Sequence, residues 1–153
     1  MACARDPVAV LRSEMYEKRI EIRWRDMDAL GHVNHAVFVT YLEEVRDEWL
    51  AHSLGATGTV DDFLVGKVSI EYRSPLRQAD DAVIVRLRLT GLGRATVHTR
   101  EEIHTLSGTL AARAESVLVA VDSATGRSRP LSAEELEALR PQLPDDEASQ
   151  PDA

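Results

Sequence analysis

The sequence predicts an α+β domain in which an antiparallel sheet of five strands wraps around one long helix. Three observations predict it. Several segments alternate apolar and polar residues with the period of a half-buried strand. One stretch, Phe38, Tyr41, Leu42, Val45 and Trp49, recurs instead at spacings of three and four, which puts all five on one helical face. The order is strand, long helix, then four strands joined by short turns, so one amphipathic helix must be covered by the sheet.

The first strand is expected over Glu17 to Arg25, where Ile20, Ile22 and Trp24 alternate with Glu21, Arg23 and Arg25. Asp26 to Asn34 reads as a turn-rich connection containing Leu30-Gly31. Asn34 suits the N-cap of the helix that follows. Val37 and Val39 widen its apolar face, while Glu43, Arg46 and Asp47 are assigned to its polar side. Gly55 suits a left-handed C-terminal cap. Phe63 to Tyr72 is the next strand, ended by Ser74-Pro75. Ala82 to Thr90 follows, with Val83, Val85, Leu87 and Leu89 on one face and Arg86 and Arg88 on the other. Gly91-Leu92-Gly93 marks a turn before the strand from Ala95 to Thr105, and Ser107-Gly108 another before the strand from Leu110 to Val121. Asp122 to Arg129 is a loop. Ser132 to Leu139 is a short helix, with Ser132 at the cap and Glu134 and Glu135 in its first turn.

The domain is expected over residues 17–140, between a flexible N-terminus (1–16) and a disordered acidic tail (141–153) that holds almost nothing apolar. A chain of 153 residues with 44% hydrophobic and 29% charged residues fits one soluble globular domain. Its formal net charge of -8 argues against sequence-independent binding to nucleic acid, which needs a dense cationic face. The single cysteine, Cys3, permits no intramolecular disulfide, and a reducing, cytoplasmic compartment is expected. Arg5, Asp6, Arg12 and Glu14 break the N-terminal stretch, which is unlike a signal peptide, and no apolar run is long enough to span a bilayer. One helix cannot cover a five-stranded sheet, and the outer edges stay open. A homo-oligomer is therefore expected.

The chemistry concentrates in Asp26-Met27-Asp28-Ala29-Leu30-Gly31-His32-Val33-Asn34-His35. Two carboxylates end a strand, a glycine turn follows, and a helix begins. The first N–H groups of a helix lack intrahelical partners, and that end of the macrodipole is positive. With Asn34 as cap, the N–H groups of His35 and Ala36 are expected to be free for an anion, and the loop is short enough to bring Asp28 back over them. A carboxylate beside such donors suits thioester hydrolysis. The donors stabilise the oxyanion, and the carboxylate either attacks the carbonyl to give an anhydride or deprotonates a water. Acidic residues at a strand end also simply form turns or cap helices.

The run Asp26-Met27-Asp28-Ala29-Leu30-Gly31-His32-Val33-Asn34-His35-Ala36, followed by Tyr41-Leu42-Glu43-Glu44-Val45-Arg46, resembles the signature of the hotdog thioesterases. The subgroup is the one typified by 4-hydroxybenzoyl-CoA thioesterase and by the thioesterase linked to the Tol–Pal system. The resemblance implies a hotdog fold and hydrolysis of an acyl-CoA thioester without metal or cofactor. It implies that Asp28 is the catalytic carboxylate and that the His35 N–H polarises the carbonyl. It further implies that CoA binds across a subunit interface and that dimers pair into tetramers. Arg94 stands in a turn where relatives place basic residues for CoA phosphates, and Gly31 and Asn34 join it as expected substrate-binding positions. Arg77-Gln78-Ala79-Asp80-Asp81 lacks the Gly-Asp that many relatives carry in that turn.

Other candidates have plainer readings beside their functional ones. The His35 side chain is either an acid/base group or a bystander to its own backbone. His32 and His35 have a ligand-compatible spacing, but no third metal ligand is evident. Glu43 and Glu44 are read as structural ion-pair partners of Arg46 or another basic group. Arg73 and Arg77 are read as surface arginines, and Trp24, Tyr41 and Trp49 as core. Two rivals to the acyl-CoA reading remain: a thioesterase acting on carrier-protein-bound acyl groups, and a non-catalytic acyl or CoA-binding module. A hotdog dehydratase is weaker, since that group's hydratase-type motif is not seen.

Overall fold

The computed structural model describes residues 15–55 and 62–144. Residues 1–14 of the expected flexible N-terminus, Cys3 among them, and residues 145–153 of the expected acidic tail lie outside the described residues. Strands β1 (Tyr16–Glu21), β2 (Phe63–Tyr72), β3 (Ala82–Leu92), β4 (Thr96–Thr105) and β5 (Leu110–Ala120) form one antiparallel sheet in the order β1-β3-β4-β5-β2. Helix α1 (His35–Leu54) packs against it, and the short α2 (Ala133–Leu139) packs beside α1. This is the α+β architecture that the alternation and the single helical stretch predict.

The core forms where the two periodicities meet. Val83, Val85, Leu87 and Leu89 of β3 are buried together, as are Val97 and Ile103 of β4 and Ala112, Ala114, Leu118 and Ala120 of β5. Helix α1 contributes Phe38, Tyr41, Leu42, Val45, Trp49 and Leu50 to the same cluster. The N-terminal end of the helix is built as expected, with the Asn34 side chain accepting the Ala36 N–H. The C-terminal end has Gly55 at φ 54 but with ψ -125, outside the left-handed helical cap expected there. In α2, Ser132 and Glu135 form a reciprocal capping box, and Arg129 grips the Glu135 carboxylate through two nitrogens at 2.9 and 2.8 Å.

Four further details depart from expectation. First, β1 stops at Glu21, and Trp24–Asp26 forms one turn of 3-10 helix. The chain leaves the sheet after Ile22, whose N–H donates to Asp81 O at 2.8 Å. Trp24 therefore turns outward at 79% exposure instead of joining the core. Second, Arg46 is buried rather than on the polar side. It lies four residues after Leu42 and three before Trp49, so it shares their face. Third, β3 runs on to Leu92 through a bulge between Leu89 and Gly91, which moves the turn to Gly93–Ala95. Fourth, order continues past residue 140: Arg140–Gln142 forms a 3-10 turn, and Trp49 Nε1–H donates to Gln142 Oε1 at 2.9 Å. Among the described residues no helix is long and apolar enough to cross a membrane.

Candidate functional site

The segment between β1 and α1 is closed by hydrogen bonds at every level. The Asn34 N–H donates to Asp26 O at 2.8 Å, joining its two ends. Met27 and Val33 pair as an antiparallel bridge inside that closure. Next inward, Asp28 N–H donates to His32 O at 2.7 Å and Gly31 N–H to Asp28 O at 3.1 Å. Gly31 has φ 75, the left-handed region in which a side chain is disfavoured, so the turn depends on glycine. Val33 N–H donates to Leu76 O at 2.7 Å, which fastens the loop to the β2–β3 connection.

The two aspartates do different things. Asp26 is buried, and its Oδ2 accepts from the Arg23 N–H at 2.9 Å and the Tyr41 hydroxyl at 2.7 Å. Burial, then the Asp26 hydrogen bond, pushes the Tyr41 hydroxyl far above its ordinary value, so it stays protonated as donor. Asp28 is half-buried, and its Oδ1 accepts from the N–H groups of Leu30 at 2.9 Å and His32 at 3.1 Å. Among the described residues its Oδ2 carries no hydrogen bond.

At the start of α1 the expected pair of free donors is reduced to one. The Ala36 N–H is taken by the Asn34 side chain at 2.9 Å. The His35 N–H has no hydrogen-bond partner among the described residues. The His35 carbonyl accepts from the Tyr72 hydroxyl at 2.8 Å, and the two rings meet edge to face with centroids 6.5 Å apart. Tyr72 also packs edge to face on Phe38, so the last residue of β2 braces the first turn of α1. The His35 side chain is exposed.

The structure thus brings Asp28, Gly31, Asn34 and His35 into one loop and helix tip, and it does not bring Arg94 to them. Arg94 follows the Leu92 end of β3, whereas the Asp28 loop sits at the Ala82 end, where Glu21 pairs with Ala82. Ten residue steps of strand separate those ends by about 30 Å. Arg77 shares the Asp28 end, since it adjoins Leu76, whose carbonyl holds Val33. Arg73 also lies there but is paired with Glu71 at 2.6 Å. Glu44 pairs with Arg23 at 3.1 Å, not with Arg46. No group of three or more His, Cys, Asp or Glu placed to hold a metal occurs among the described residues, His32 and His35 included.

Sequence reasoning quoted Asp26 and Tyr41 in the run but gave neither a role in the site, and it missed Tyr72. One signal was available. A tyrosine on the buried helical face needs an acceptor for its hydroxyl, and the nearest chain end offers Asp26.

Comparisons with known proteins bear on this geometry. The model of a family described as the thioesterase-like superfamily matches residues 22–142. The acyl-CoA thioester hydrolase YbgC of Escherichia coli is 28% identical over 127 residues, covering 79% of this chain and 92% of that protein. The chloroplastic acyl-acyl carrier protein thioesterase ATL3 of Arabidopsis thaliana is 29% identical over 91 residues, covering 56% of this chain and 47% of that protein. A crystal structure of a thioesterase from Thermus thermophilus, complexed with coenzyme A and Zn, superposes with a TM-score of 0.74 at 30% identity, covering 88% of this chain and 95% of that one.

Proposed function

Because this chain belongs to the thioesterase-like superfamily, we propose that it hydrolyses the thioester of an acyl-CoA to the free acid and coenzyme A. The relatives support the substrate class: YbgC is an acyl-CoA thioester hydrolase, and the Thermus thermophilus thioesterase was crystallised with coenzyme A. The observation that carries the local assignment is the juxtaposition of the Asp28 loop with the one unpartnered N–H at the tip of α1. The thioester carbonyl oxygen accepts from the His35 N–H, and the positive end of the helix dipole adds to that stabilisation as charge develops. Two backbone donors hold Asp28 Oδ1 and orient the carboxylate, leaving Oδ2 for chemistry. Oδ2 either attacks the carbonyl carbon, giving an anhydride that water then cleaves, or takes a proton from a water that attacks. On either route the C–S bond breaks, the thiolate leaves and is protonated, and one water is consumed.

Gly31 shapes this loop and Asn34 caps the helix, so both act on the site through backbone geometry. Arg94 reaches a site only on another subunit, whereas Arg77 lies at the Asp28 end of the same chain. A homo-oligomer is part of the proposal, with the site at the subunit interface. Its support is the exposed apolar surface: Leu64, Val65 and Tyr72 on edge strand β2, and Trp24 and Leu30 beside Asp28. Sedimentation is expected to give a dimer or tetramer, and a well-folded monomer at assay concentrations would count against the interface.

Asp28→Asn is expected to remove most thiol release from acyl-CoA substrates while leaving fold and assembly intact. Undiminished turnover would refute the role of Asp28. The similarity to ATL3 favours one second reading, a carrier-protein thioester as substrate with the same chemistry. Matched CoA and carrier-bound substrates assayed side by side separate the two, and CoA binding with no thiol release from either would indicate a non-catalytic module.

A further inference from the structure

We propose that Asp26 and Tyr41 form a positioning pair that fixes where the Asp28 carboxylate stands relative to the His35 N–H. The inference rests on the thioesterase reading above. Asp26 touches all three parts of the site's frame. Its Oδ2 accepts the Arg23 N–H at 2.9 Å, which holds the chain leaving β1. The same oxygen accepts the Tyr41 hydroxyl at 2.7 Å, which ties it to the buried interior of α1. Its carbonyl accepts the Asn34 N–H at 2.8 Å, which holds the helix cap. Asp28 lies two residues after Asp26, and His35 one residue after Asn34. The two groups assigned to chemistry therefore hang from opposite ends of a closure that Asp26 makes.

Tyr41 supplies the rigidity. It is 1% exposed among the core side chains of α1, so its hydroxyl occupies a fixed point in the core and not a mobile surface position. A carboxylate tied to that point can move little without breaking a buried hydrogen bond. Reaching the site through a hydrogen bond from the core lets the loop stay exposed to substrate yet keep its geometry.

The test uses Tyr41→Phe, which removes only the hydroxyl, together with Asp26→Asn and Asp26→Ala in the full chain. Steady-state thiol release gives kcat and KM for one acyl-CoA, and thermal melts report folding. In Tyr41→Phe, kcat is expected to fall on the order of 10- to 100-fold, the scale of a misplacement near 1 Å, with KM held within about twofold. Asp26→Asn keeps an oxygen acceptor and is expected to retain far more kcat than Asp26→Ala. The double variant Asp26→Asn/Tyr41→Phe should be no worse than its worse single, because both act through one contact. A purely structural pair would lower the melting temperature and leave kcat of the folded enzyme unchanged, and that result would overturn the proposal. If Tyr41→Phe does not fold, folded Asp26→Ala and Asp26→Asn decide between them: a much lower kcat in Asp26→Ala supports the proposal, and equal kcat in the two overturns it. Asp28→Asn is run in parallel. Normal turnover there removes the functional reading and this inference with it, whereas an inactive Asp28→Asn beside a normal Tyr41→Phe removes the positioning role alone.

Discussion

The most exposing perturbation of this fold is Glu101→Ala. Glu101 on β4 is fully buried, and the Arg46 side chain on α1 is 3% exposed, with Arg46 NH1 at 3.6 Å from Glu101 Oε1. Thr99 Oγ1 donates to Oε1 at 2.8 Å and Ser116 Oγ to Oε2 at 3.1 Å, while Arg46 NH1 donates to Ser116 Oγ at 3.1 Å. Removing the carboxylate leaves a buried guanidinium whose remaining bond is to a hydroxyl, and it strips two hydroxyl donors of their acceptor. Breaking a buried pair from one side costs about 3–5 kcal/mol. Against a total of roughly 5–15 kcal/mol for a native protein, that is a large fraction of the stability.

Replacing both partners by apolar residues, Arg46→Met with Glu101→Leu, is expected to cost far less than the sum of the single changes, since no charge is then stranded. Urea melts followed by circular dichroism, at one protein concentration, measure Glu101→Ala, the single changes Arg46→Met and Glu101→Leu, and the double variant. The pH dependence gives an independent check. Desolvation raises the Glu101 carboxyl above its ordinary value despite the opposing pull of Thr99, Arg46 and Ser116. A raised carboxyl contributes stability at pH below its unfolded value and loses that contribution as pH climbs through the raised one. The wild type should therefore show a stability loss in the window just above the ordinary carboxylate range, absent in the double variant. Single variants that lose less than about 1 kcal/mol, or whose losses add, would refute the account of the pair as a coupled buried charge.

Two further predictions concern the site's cations and the domain's end. Arg77→Ala is expected to raise KM for acyl-CoA and reduce its salt dependence in any assembly state, whereas Arg94→Ala should do so only if a second subunit brings Arg94 to the site; KM measured against ionic strength distinguishes them. Ser132→Ala removes the Ser132 side of the capping box and is expected to cost about 1 kcal/mol in urea melts, with kcat unchanged because α2 makes no contact with the Asp28 loop among the described hydrogen bonds.

The sequence was legible wherever one element's own period carries the answer. The buried faces of α1 and β3, the Asn34 cap and the turn at Gly31 all follow from spacing and residue type, and the structure has them where the spacing puts them. Trp24 was misplaced because alternation says nothing about where a strand leaves its sheet. Arg94 is a substrate-binding candidate through the resemblance alone, and its own turn does not say at which end of the sheet it lies. Only the register, Glu21 with Ala82 at one end and Leu92 with Val97 at the other, shows which turn lies near Asp28.

The polar pairs across elements were the hardest part, yet their mismatches are visible once each face is fixed. Arg46 stands on the helical face of Leu42 and Trp49, where a charge is out of place. Glu101 stands on the β4 face of Val97 and Ile103, where a carboxylate is equally out of place. Each buried charge demands a partner of opposite sign, and the described β strands offer Arg46 one such carboxylate on their buried face. Asp26 and Tyr41 answer each other by the same logic, a buried hydroxyl and a buried acceptor. A residue that breaks the pattern of its own element is therefore a distance constraint on another element. Both constraints here fasten α1 to the rest of the chain, one at the core of the sheet and one at the frame of Asp28.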